Sequence, residues 1–254
     1  MLVGEQLSRS FGGVEAVSRM SLAVPARGVL GVIGPNGAGK STLFHLISGH
    51  LRPDTGTLHF AGRDITRLPP QERARLGIAI AFQAVRLFRG MSVIENVMVG
   101  AQAWTAHGFW EAALRLPRQA REEPQIRDAA RGALERVGLT RWSDKDAESL
   151  PVGSQRSLQV ARAICARPRL LLLDEPASGL RGEERERLAT LISALAAEGL
   201  PMLLIEHDVA FVMRLAQQLM VMDRGRVIAQ GAPAVVRNDP VVIAAYLGEE
   251  RPGA

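Results

Sequence analysis

The stretch of sequence with the clearest chemistry is a glycine-rich turn that ends in a lysine and two hydroxyl residues. It consists of Gly34, Pro35, Asn36, Gly37, Ala38, Gly39, Lys40 and Ser41, followed by Thr42, and it fits the pattern G-x-x-x-x-G-K-[ST]. Glycines let backbone N–H groups approach phosphate oxygens closely. Lys40 adds a charge that reaches the β- and γ-phosphates, and the Ser41 hydroxyl is an oxygen ligand of the kind that Mg²⁺ prefers. The stretch predicts a phosphate-binding loop.

A pair of carboxylates at the end of an apolar run forms the second candidate site. The run Leu170–Leu173 predicts a strand buried on both faces, and Asp174 and Glu175 follow it directly. Asp174 can hold Mg²⁺ through its water shell, and Glu175 can orient or deprotonate an attacking water. Together with the phosphate-binding loop, the pair predicts hydrolysis of a nucleotide.

Three further residues are candidates because they lie at the end of a predicted strand or in a turn. Gln83 follows the strand Gly77–Phe82, where its amide can reach a phosphate or a metal-bound water, or can be an ordinary polar residue. His207 follows the strand Met202–Ile205, at the edge where ligands of parallel sheets bind; it can contact the γ-phosphate or hold the attacking water, or serve a structural role. Phe11, before a glycine pair, can stack on a nucleotide base or pack internally.

The elements that position these residues alternate between strand and helix, which predicts an α/β fold. The strand Val29–Ile33 leads into the phosphate-binding loop, and a helix that contains Thr42–Ile47 follows and directs its positive end at the phosphates. The first 27 residues predict short strands, and 219–230 predicts a hairpin. A helix over Ser154–Arg167 follows a turn, and Gly153 and Ser154 at its start form a second possible anion site.

Residues 84–160 predict an inserted helical subdomain. Its first helix opens with a capping box formed by Ser92 and Glu95. Pro124 is expected to break the helical pattern, so that the next helix covers about 125–137. The aromatic residues of this region can pack inside the subdomain or contact a membrane or a membrane partner: Trp104, Phe109 and Trp110.

Composition limits the class of protein. The chain has 254 residues and is 47% hydrophobic, enough for one large domain, and no apolar run approaches the ~20 residues that span a bilayer. The N-terminus lacks a signal-peptide pattern, and the single cysteine, Cys165, lies in an apolar stretch, so we expect a cytoplasmic protein. The net charge is +5, but the arginines are scattered among carboxylates, which argues against a nucleic-acid partner.

The motifs, with Gln83, the turn at 150–156 and His207, occur in an order and spacing that resemble the ATP-binding subunits of ABC transporters over essentially the whole chain. The resemblance implies a P-loop NTPase (RecA-like) core with an N-terminal antiparallel β subdomain and an inserted α-helical subdomain. In this single domain of 1–254, the core covers 1–83 and 161–254, and the helical subdomain, 84–160, ends in the signature motif.

The same resemblance implies how the residues act. ATP and Mg²⁺ are the expected ligands, with ATP held between the phosphate-binding loop of one subunit and the signature of another. Phe11 is then assigned to the adenine, Gln83 to the magnesium site and to the membrane subunit, and Gly153 and Ser154 to the γ-phosphate of the second site. Asp174 and Ser41 are the other expected metal contacts, and Glu175 and His207 the catalytic residues.

Finer features resemble the ATPase subunits of branched-chain amino acid importers. These features are the sequence around 82–88, the stretch 93–97, the insertion around 104–125, the segment 204–208 and the C-terminal stretch 238–248. Related importers take urea or short amides, and lipopolysaccharide-export ATPases have a similar tail. The expected partners are a second ATPase subunit in a homo- or heterodimer, integral membrane permease subunits and, indirectly, a periplasmic or extracellular substrate-binding protein. The expected location is peripheral, on the cytoplasmic face of the inner membrane.

Two departures from the family pattern keep other functions open. Pro151, Val152 and Ser154 replace residues of the usual Leu-Ser-Gly-Gly-Gln signature, and Arg181 stands where an aspartate is usual. Pro151 has neither a hydroxyl nor an N–H for a phosphate. A weakly hydrolysing nucleotide switch is therefore one alternative, and a soluble ABC ATPase that works on nucleic acid or ribosomes is another.

Overall fold

The computed structural model describes residues 1–82, 84, 86–104 and 119–247, with the backbone alone for 119–122 and 247. The strands are β1 Leu2–Phe11, β2 Val14–Val24, β3 Gly28–Ile33, β4 Thr55–Phe60, β5 Arg63–Asp64, β6 Ile78–Ala81, β7 Leu170–Asp174, β8 Pro201–Ile205, β9 Gln218–Asp223 and β10 Arg226–Gly231. The α-helices are α1 Lys40–Ser48, α2 Pro70–Arg75, α3 Val93–Met98, α4 Gln119–Arg136, α5 Val152–Cys165, α6 Gly182–Ala197, α7 Val209–Leu215, α8 Pro233–Val236 and α9 Pro240–Leu247. Short 3₁₀ helices cover Val99–Ala103, Thr140–Trp142 and Ala147–Ser149.

The larger sheet has six strands in the order β10-β9-β3-β8-β7-β6, and all neighbours except β10 and β9 are parallel. Its central strands are buried on both faces, because alternate side chains enter different cores. In β7, Leu171 and Leu173 pack with α6 and α7, whereas Leu170 and Leu172 pack with α1 and the smaller sheet. The predicted α/β class with a parallel core is confirmed.

The smaller sheet is antiparallel, with the order β2-β1-β4-β5. The prediction of short N-terminal strands is wrong in length, since β1 and β2 have 10 and 11 residues and pair as one long hairpin. Register shifts after Gly4 and after Leu7 interrupt the pairing, and Gln6 and Arg19 have positive φ angles of 49° and 44°. Such irregularities bend the hairpin without ending it. The strands therefore extend beyond the residues in which apolar and polar side chains alternate regularly.

A third core belongs to the helical subdomain. Val93, Val97, Leu134 and Leu158 bring α3, α4 and α5 together in it. The predicted break at Pro124 is wrong, because α4 runs through this proline. A proline inside a helix costs about 3 kcal/mol locally, and the packing of α4 against α3 and α5 outweighs it. The capping box of Ser92 and Glu95 is formed as predicted.

The division between core and helical subdomain at residue 160 falls inside α5, whose predicted bounds were two residues too late. Leu158 and Cys165 of this helix belong to the helical core, whereas Val160 and Ala163 pack against the larger sheet. The helix therefore serves both parts. Trp104 lies against α5, since its Nε1 donates to the Cys165 carbonyl at 2.9 Å. Phe109 and Trp110 lie outside the described residues.

Among the described residues, none of the helices has the length and apolar character needed to cross a membrane.

Candidate functional site

The glycine-rich stretch forms a tight loop between β3 and α1. Gly39 lies just before the helix with a φ of 97°, and a Cβ there would come 2.1 Å from the carbonyl oxygen of Ala16. A Cβ at Gly34 would come 2.1 Å from the carbonyl oxygen of Met222. Only glycine fits at these two positions, because backbone atoms of neighbouring strands occupy the space. At Gly37, in contrast, a Cβ would have no described atom within 4 Å beyond its chain neighbours, so the outer side of the loop is open.

Lys40 is the first residue of α1 and is 5% exposed. Its Nζ donates to the carbonyl oxygens of Gly34 at 2.6 Å and Pro35 at 2.9 Å. The ammonium group therefore points back into the phosphate-binding loop and binds the loop's own backbone. Ser41, one residue further, is exposed, and Thr42 is partly exposed. The loop therefore presents a charge, a hydroxyl and the positive end of a helix on one side.

The strand register brings the other candidates to the same edge of the sheet. Val32 in β3 lies opposite Ile205 in β8, and Ile205 lies opposite Asp174 in β7. The carboxyl ends of these three neighbouring strands consequently carry the phosphate-binding loop, His207 and Glu175. Gln83 lies outside the described residues; β6 ends at Ala81, opposite Leu173.

Glu175 has an unusual backbone. Its φ is +46°, a left-handed conformation that costs a non-glycine residue about 1–3 kcal/mol and is frequent at functional sites. Its N–H donates to the Ile205 carbonyl at 2.9 Å, and its own carbonyl accepts from Nη1 of Arg156 at 3.4 Å. The turn directs the side chain towards His207, whose Nε2 lies 2.5 Å from Oε1 of Glu175. The structure therefore brings the side chains of the two predicted catalytic residues to hydrogen-bonding distance of each other.

We expect His207→Ala to lower kcat for ATP hydrolysis by about 10- to 100-fold, because a carboxylate held by fewer contacts spends less time in a reactive position. KM for ATP should stay within about twofold, since His207 is not needed for the phosphate-binding loop to form. Steady-state phosphate release measures both. His207→Gln retains a donor and should recover part of the rate; a rate equal to that of the unmodified protein in the alanine variant would contradict this role.

Two buried carboxyls at this edge have raised pKa values. Burial, with the neighbouring Glu175 carboxylate, raises the pKa of Asp174 to about 6, while His207 opposes the shift. Burial also raises the pKa of Glu206 to about 7, although its Oε1 accepts the N–H of Ala177 at 2.7 Å. The sequence does not indicate this contact of Glu206, because the partner N–H is 29 residues away along the chain. Glu206 fixes the backbone just after Glu175.

The raised pKa of Glu206 predicts a pH-dependent stability. The folded protein binds this proton more tightly than the unfolded chain, whose pKa is 4.5, so the stabilisation is complete below 4.5 and is lost as the pH rises through about 7. Glu206→Gln keeps the acceptor for Ala177 and cannot ionise. Urea unfolding should therefore show the variant to be more stable by about 1–3 kcal/mol near pH 8 and nearly unchanged near pH 4. An equal difference at both pH values would rule out the buried carboxylate as its cause.

Phe11 lies at the end of β1, 45% exposed, with the Arg9 guanidinium 5.0 Å from the ring centroid. The hairpin that carries Phe11 contacts the phosphate-binding loop through Ala16, whose carbonyl oxygen excludes any side chain at Gly39. An exposed ring at the end of β1 is available for a nucleotide base. Its assignment to the adenine stays a prediction.

Gly153 and Ser154 lie in the first turn of α5. A Cβ at Gly153 would come 2.0 Å from Oε1 of Glu184, so Gly153 lies directly against a side chain of α6. The two residues line a cavity of about 710 Å³ between α6 and the end of α4. Pro151 is the N-cap residue and gives no side-chain cap to the helix. The predicted signature residues thus lie at the start of α5 and against α6, whereas the phosphate-binding loop lies between β3 and α1.

The residues present fit a nucleotide with a magnesium ion. Backbone crowding at Gly34 and Gly39 holds the loop in shape, and the open side at Gly37 leaves room for a phosphate. The Ser41 hydroxyl and the Asp174 carboxylate are oxygen donors, which Mg²⁺ prefers over nitrogen or sulfur. This arrangement defines the class of nucleotide-binding proteins with a phosphate-binding loop.

Comparison with known proteins gives the family. Residues 17–178 match the model of the ABC transporter family, and residues 226–252 match that of the branched-chain amino acid ATP-binding cassette transporter.

The chain is 40% identical over 98% of both chains to the high-affinity branched-chain amino acid transport ATP-binding protein LivG of Salmonella typhimurium. It is 32% identical, again over 98% of each, to the lipopolysaccharide export system ATP-binding protein LptB of Haemophilus influenzae. A crystal structure of the ADP conformation of an ATP-binding cassette superimposes with a TM-score of 0.84, 30% identity and 98% coverage of each chain. The chain belongs to the ABC transporter family and is an ATP-binding, ATP-hydrolysing subunit.

Proposed function

We propose that this chain hydrolyses ATP to drive an importer of branched-chain or other hydrophobic amino acids. The observation that carries the proposal is the hydrogen-bonded pair of Glu175 and His207 at the sheet edge next to the loop of Lys40. The cargo class is supported by the 40% identity with LivG, against 32% with LptB, and by the match of 226–252.

The proposed mechanism assigns one task to each residue. Lys40 exchanges the carbonyls of Gly34 and Pro35 for oxygens of the β- and γ-phosphates, which keeps its ammonium group fully hydrogen-bonded. Ser41, Asp174 and Gln83 would hold Mg²⁺, which would supply neutralising charge to the phosphates. Backbone N–H groups from Asn36 to Thr42 bind the remaining oxygens.

Glu175 acts on the water in this proposal. Its carboxylate accepts a proton as the water oxygen attacks the γ-phosphorus, and the bond to the bridging oxygen breaks to leave ADP and inorganic phosphate. His207 keeps the carboxylate in place through the Nε2–Oε1 contact of 2.5 Å. The strained backbone of Glu175 has the same purpose, because it fixes the direction of the side chain before ATP arrives.

We propose further that the site is completed by a second ATPase subunit, either another copy or a related chain. The support is that Gly153 and Ser154 line a cavity with α6 and the end of α4, and none of the described residues of that lining belongs to their own phosphate-binding loop. Their backbone N–H groups at the start of α5 suit the γ-phosphate of the partner's ATP. Integral membrane permease subunits, contacted near Gln83, and indirectly a substrate-binding protein complete the importer, with this chain on the cytoplasmic face.

Purification of a tagged chain from membranes tests the proposal. We expect permease subunits to co-purify, and the complex in proteoliposomes to take up labelled leucine only with MgATP. Uptake of urea or a short amide, but not of leucine, would indicate a urea or amide importer. Release of lipopolysaccharide would indicate an exporter. ATP binding without any phosphate release by the complex would instead support the nucleotide switch.

A further inference from the structure

Asp54, which directly precedes β4, binds three consecutive residues of β1 just before Phe11. Its N–H donates to the carbonyl oxygen of Ser8 at 2.8 Å. Its carboxylate accepts a hydrogen bond from Nη1 of Arg9 at 2.6 Å and another from the N–H of Ser10 at 2.8 Å. Both carboxylate oxygens are therefore engaged, and hydrogen bonds to a charged group are about twice as strong as neutral ones.

The guanidinium of Arg9 lies between this carboxylate and the ring of Phe11. Its central carbon lies over the ring, 5.0 Å from the centroid, which is within the distance at which a cation is attracted to an aromatic face. Phe11 is nevertheless 45% exposed. An aromatic ring has two faces, so a cation over one of them leaves the other accessible.

Stability alone does not account for an arginine at this position. The Nε of Arg9 is buried and has no acceptor among the described residues, and a buried donor without a partner is unfavourable for folding. The ion pair with Asp54 is partly exposed, so its contribution to stability is small. The arrangement therefore favours a role for Arg9 at the ring of Phe11.

A second contact ties the same end of the hairpin to the phosphate-binding loop. The pairing of β1 with β2 shifts between Arg9 and Ser10 and skips Ala16. The carbonyl oxygen of Ala16 lies 2.1 Å from the place that a Cβ at Gly39 would take. The strand end that carries Phe11 is thus held through β2 on one side and by the residue before β4 on the other. A ring held in this way needs little ordering when a ligand stacks on it, which lowers the cost of binding.

We infer that Arg9 and Asp54 are positioning residues for the nucleotide base, which hold Phe11 with one face against the guanidinium and the other face open to the adenine of ATP. Asp54 fixes the guanidinium, the guanidinium fixes the ring, and the ring stacks on the base. Neither residue contacts a phosphate in this arrangement, so their contribution is confined to the base. The inference rests on the proposed binding of ATP and on the assignment of Phe11 to its adenine.

Arg9→Leu tests the inference, because leucine keeps an apolar side chain beside the ring but carries no charge and donates no hydrogen bond. Two probes separate the base from the phosphates: MgATP, and magnesium tripolyphosphate, which has neither base nor ribose. We expect calorimetry to find the dissociation constant for MgATP raised roughly fivefold and that for tripolyphosphate unchanged within about twofold. KM for ATP should rise by a similar factor with kcat unchanged, because the residues that act on the water are intact.

Three further variants identify the path of the effect. Arg9→Lys keeps a cation beside the ring and the carboxylate, and should recover most of the affinity for MgATP. Asp54→Asn can still accept from the N–H of Ser10 but loses the charge that holds the guanidinium; it should show the same selective loss, and it carries the test if Arg9→Leu does not fold. The double variant Phe11→Ala/Arg9→Leu should bind MgATP as Phe11→Ala does, because Arg9 acts through the ring.

Arg63→Leu is the matched control, since it removes the same charge from an exposed position in β5 of the same sheet. Arg63 lies opposite Phe60, and Phe60 lies opposite Leu2, at the other end of β1 from Phe11. Its dissociation constants for MgATP and for tripolyphosphate should match those of the unmodified protein.

The inference is overturned if Arg9→Leu and Asp54→Asn both bind MgATP as tightly as this control. It is also overturned if the affinity for tripolyphosphate falls by the same factor as that for MgATP, because the effect then lies at the phosphates. A further loss on adding Arg9→Leu to Phe11→Ala would overturn it as well. Failure of the unmodified protein to release phosphate from ATP would contradict the proposed function instead, because calorimetry needs no turnover.

Discussion

Glu175→Gln is expected to lower kcat for ATP hydrolysis by about 10²–10⁴-fold, the contribution of a positioned general base. The amide cannot accept a proton from the attacking water, but it has nearly the same shape and can still accept a hydrogen bond from Nε2 of His207. Calorimetry should therefore find the affinity for ATP within about threefold of the original value. Single-turnover phosphate release measures the loss directly.

The matched control is Glu5→Gln, which removes one exposed carboxylate from β1 of the smaller sheet. It should retain hydrolysis within about tenfold, because the deleted charge neither contacts the water nor holds Glu175. Turnover by Glu175→Gln at the original rate would remove this residue from the mechanism. A large loss of ATP affinity in the same variant would show that Glu175 holds the nucleotide and not the water.

Lys40→Ala is expected to weaken ATP binding by about 10- to 150-fold. Charge-assisted hydrogen bonds contribute about 1.5–3 kcal/mol each, and the variant loses the donor that would contact the β- and γ-phosphates. It also leaves the carbonyl oxygens of Gly34 and Pro35 without the Nζ that now binds them at 2.6 and 2.9 Å. Calorimetric titration with MgATP gives the dissociation constant.

The sequence provides a matched control for this change, because Lys145 is the only other lysine and is exposed on the helical subdomain. Lys145→Ala removes the same charge from the protein and should leave the dissociation constant unchanged. ATP affinity in Lys40→Ala equal to that of Lys145→Ala would contradict the assignment of the glycine-rich stretch to the phosphates.

The parts of the fold that could be predicted from the sequence are those encoded by consecutive residues. The apolar runs before Gly34 and Asp174 predicted buried parallel strands, and both are central strands of the larger sheet. The helix through Pro124 and the full length of β1 could not be predicted, because packing against distant elements overrides the local preference of a proline or of a bulged strand.

The same distinction applies to the site. The spacing of Lys40, Asp174, Glu175 and His207 was sufficient to predict a common edge, since parallel strands end on the same side. The role of Glu206 was not visible, because its partner is a backbone N–H group 29 residues away. Nearly every residue has the same backbone N–H and C=O groups, so the sequence does not show which of them a distant side chain binds.

We propose that the loop of Lys40 forms half of a nucleotide site and that a second subunit completes it. Light scattering of the Glu175→Gln variant tests this most directly. The control is the double variant that carries both Glu175→Gln and Lys40→Ala. Without nucleotide we expect a mass of 27.4 kDa. With saturating MgATP we expect about twice this mass, as two copies or as a pair with an ATPase subunit that co-purifies, and no increase in the double variant. A mass of 27.4 kDa with MgATP, both alone and with that subunit, would contradict the account.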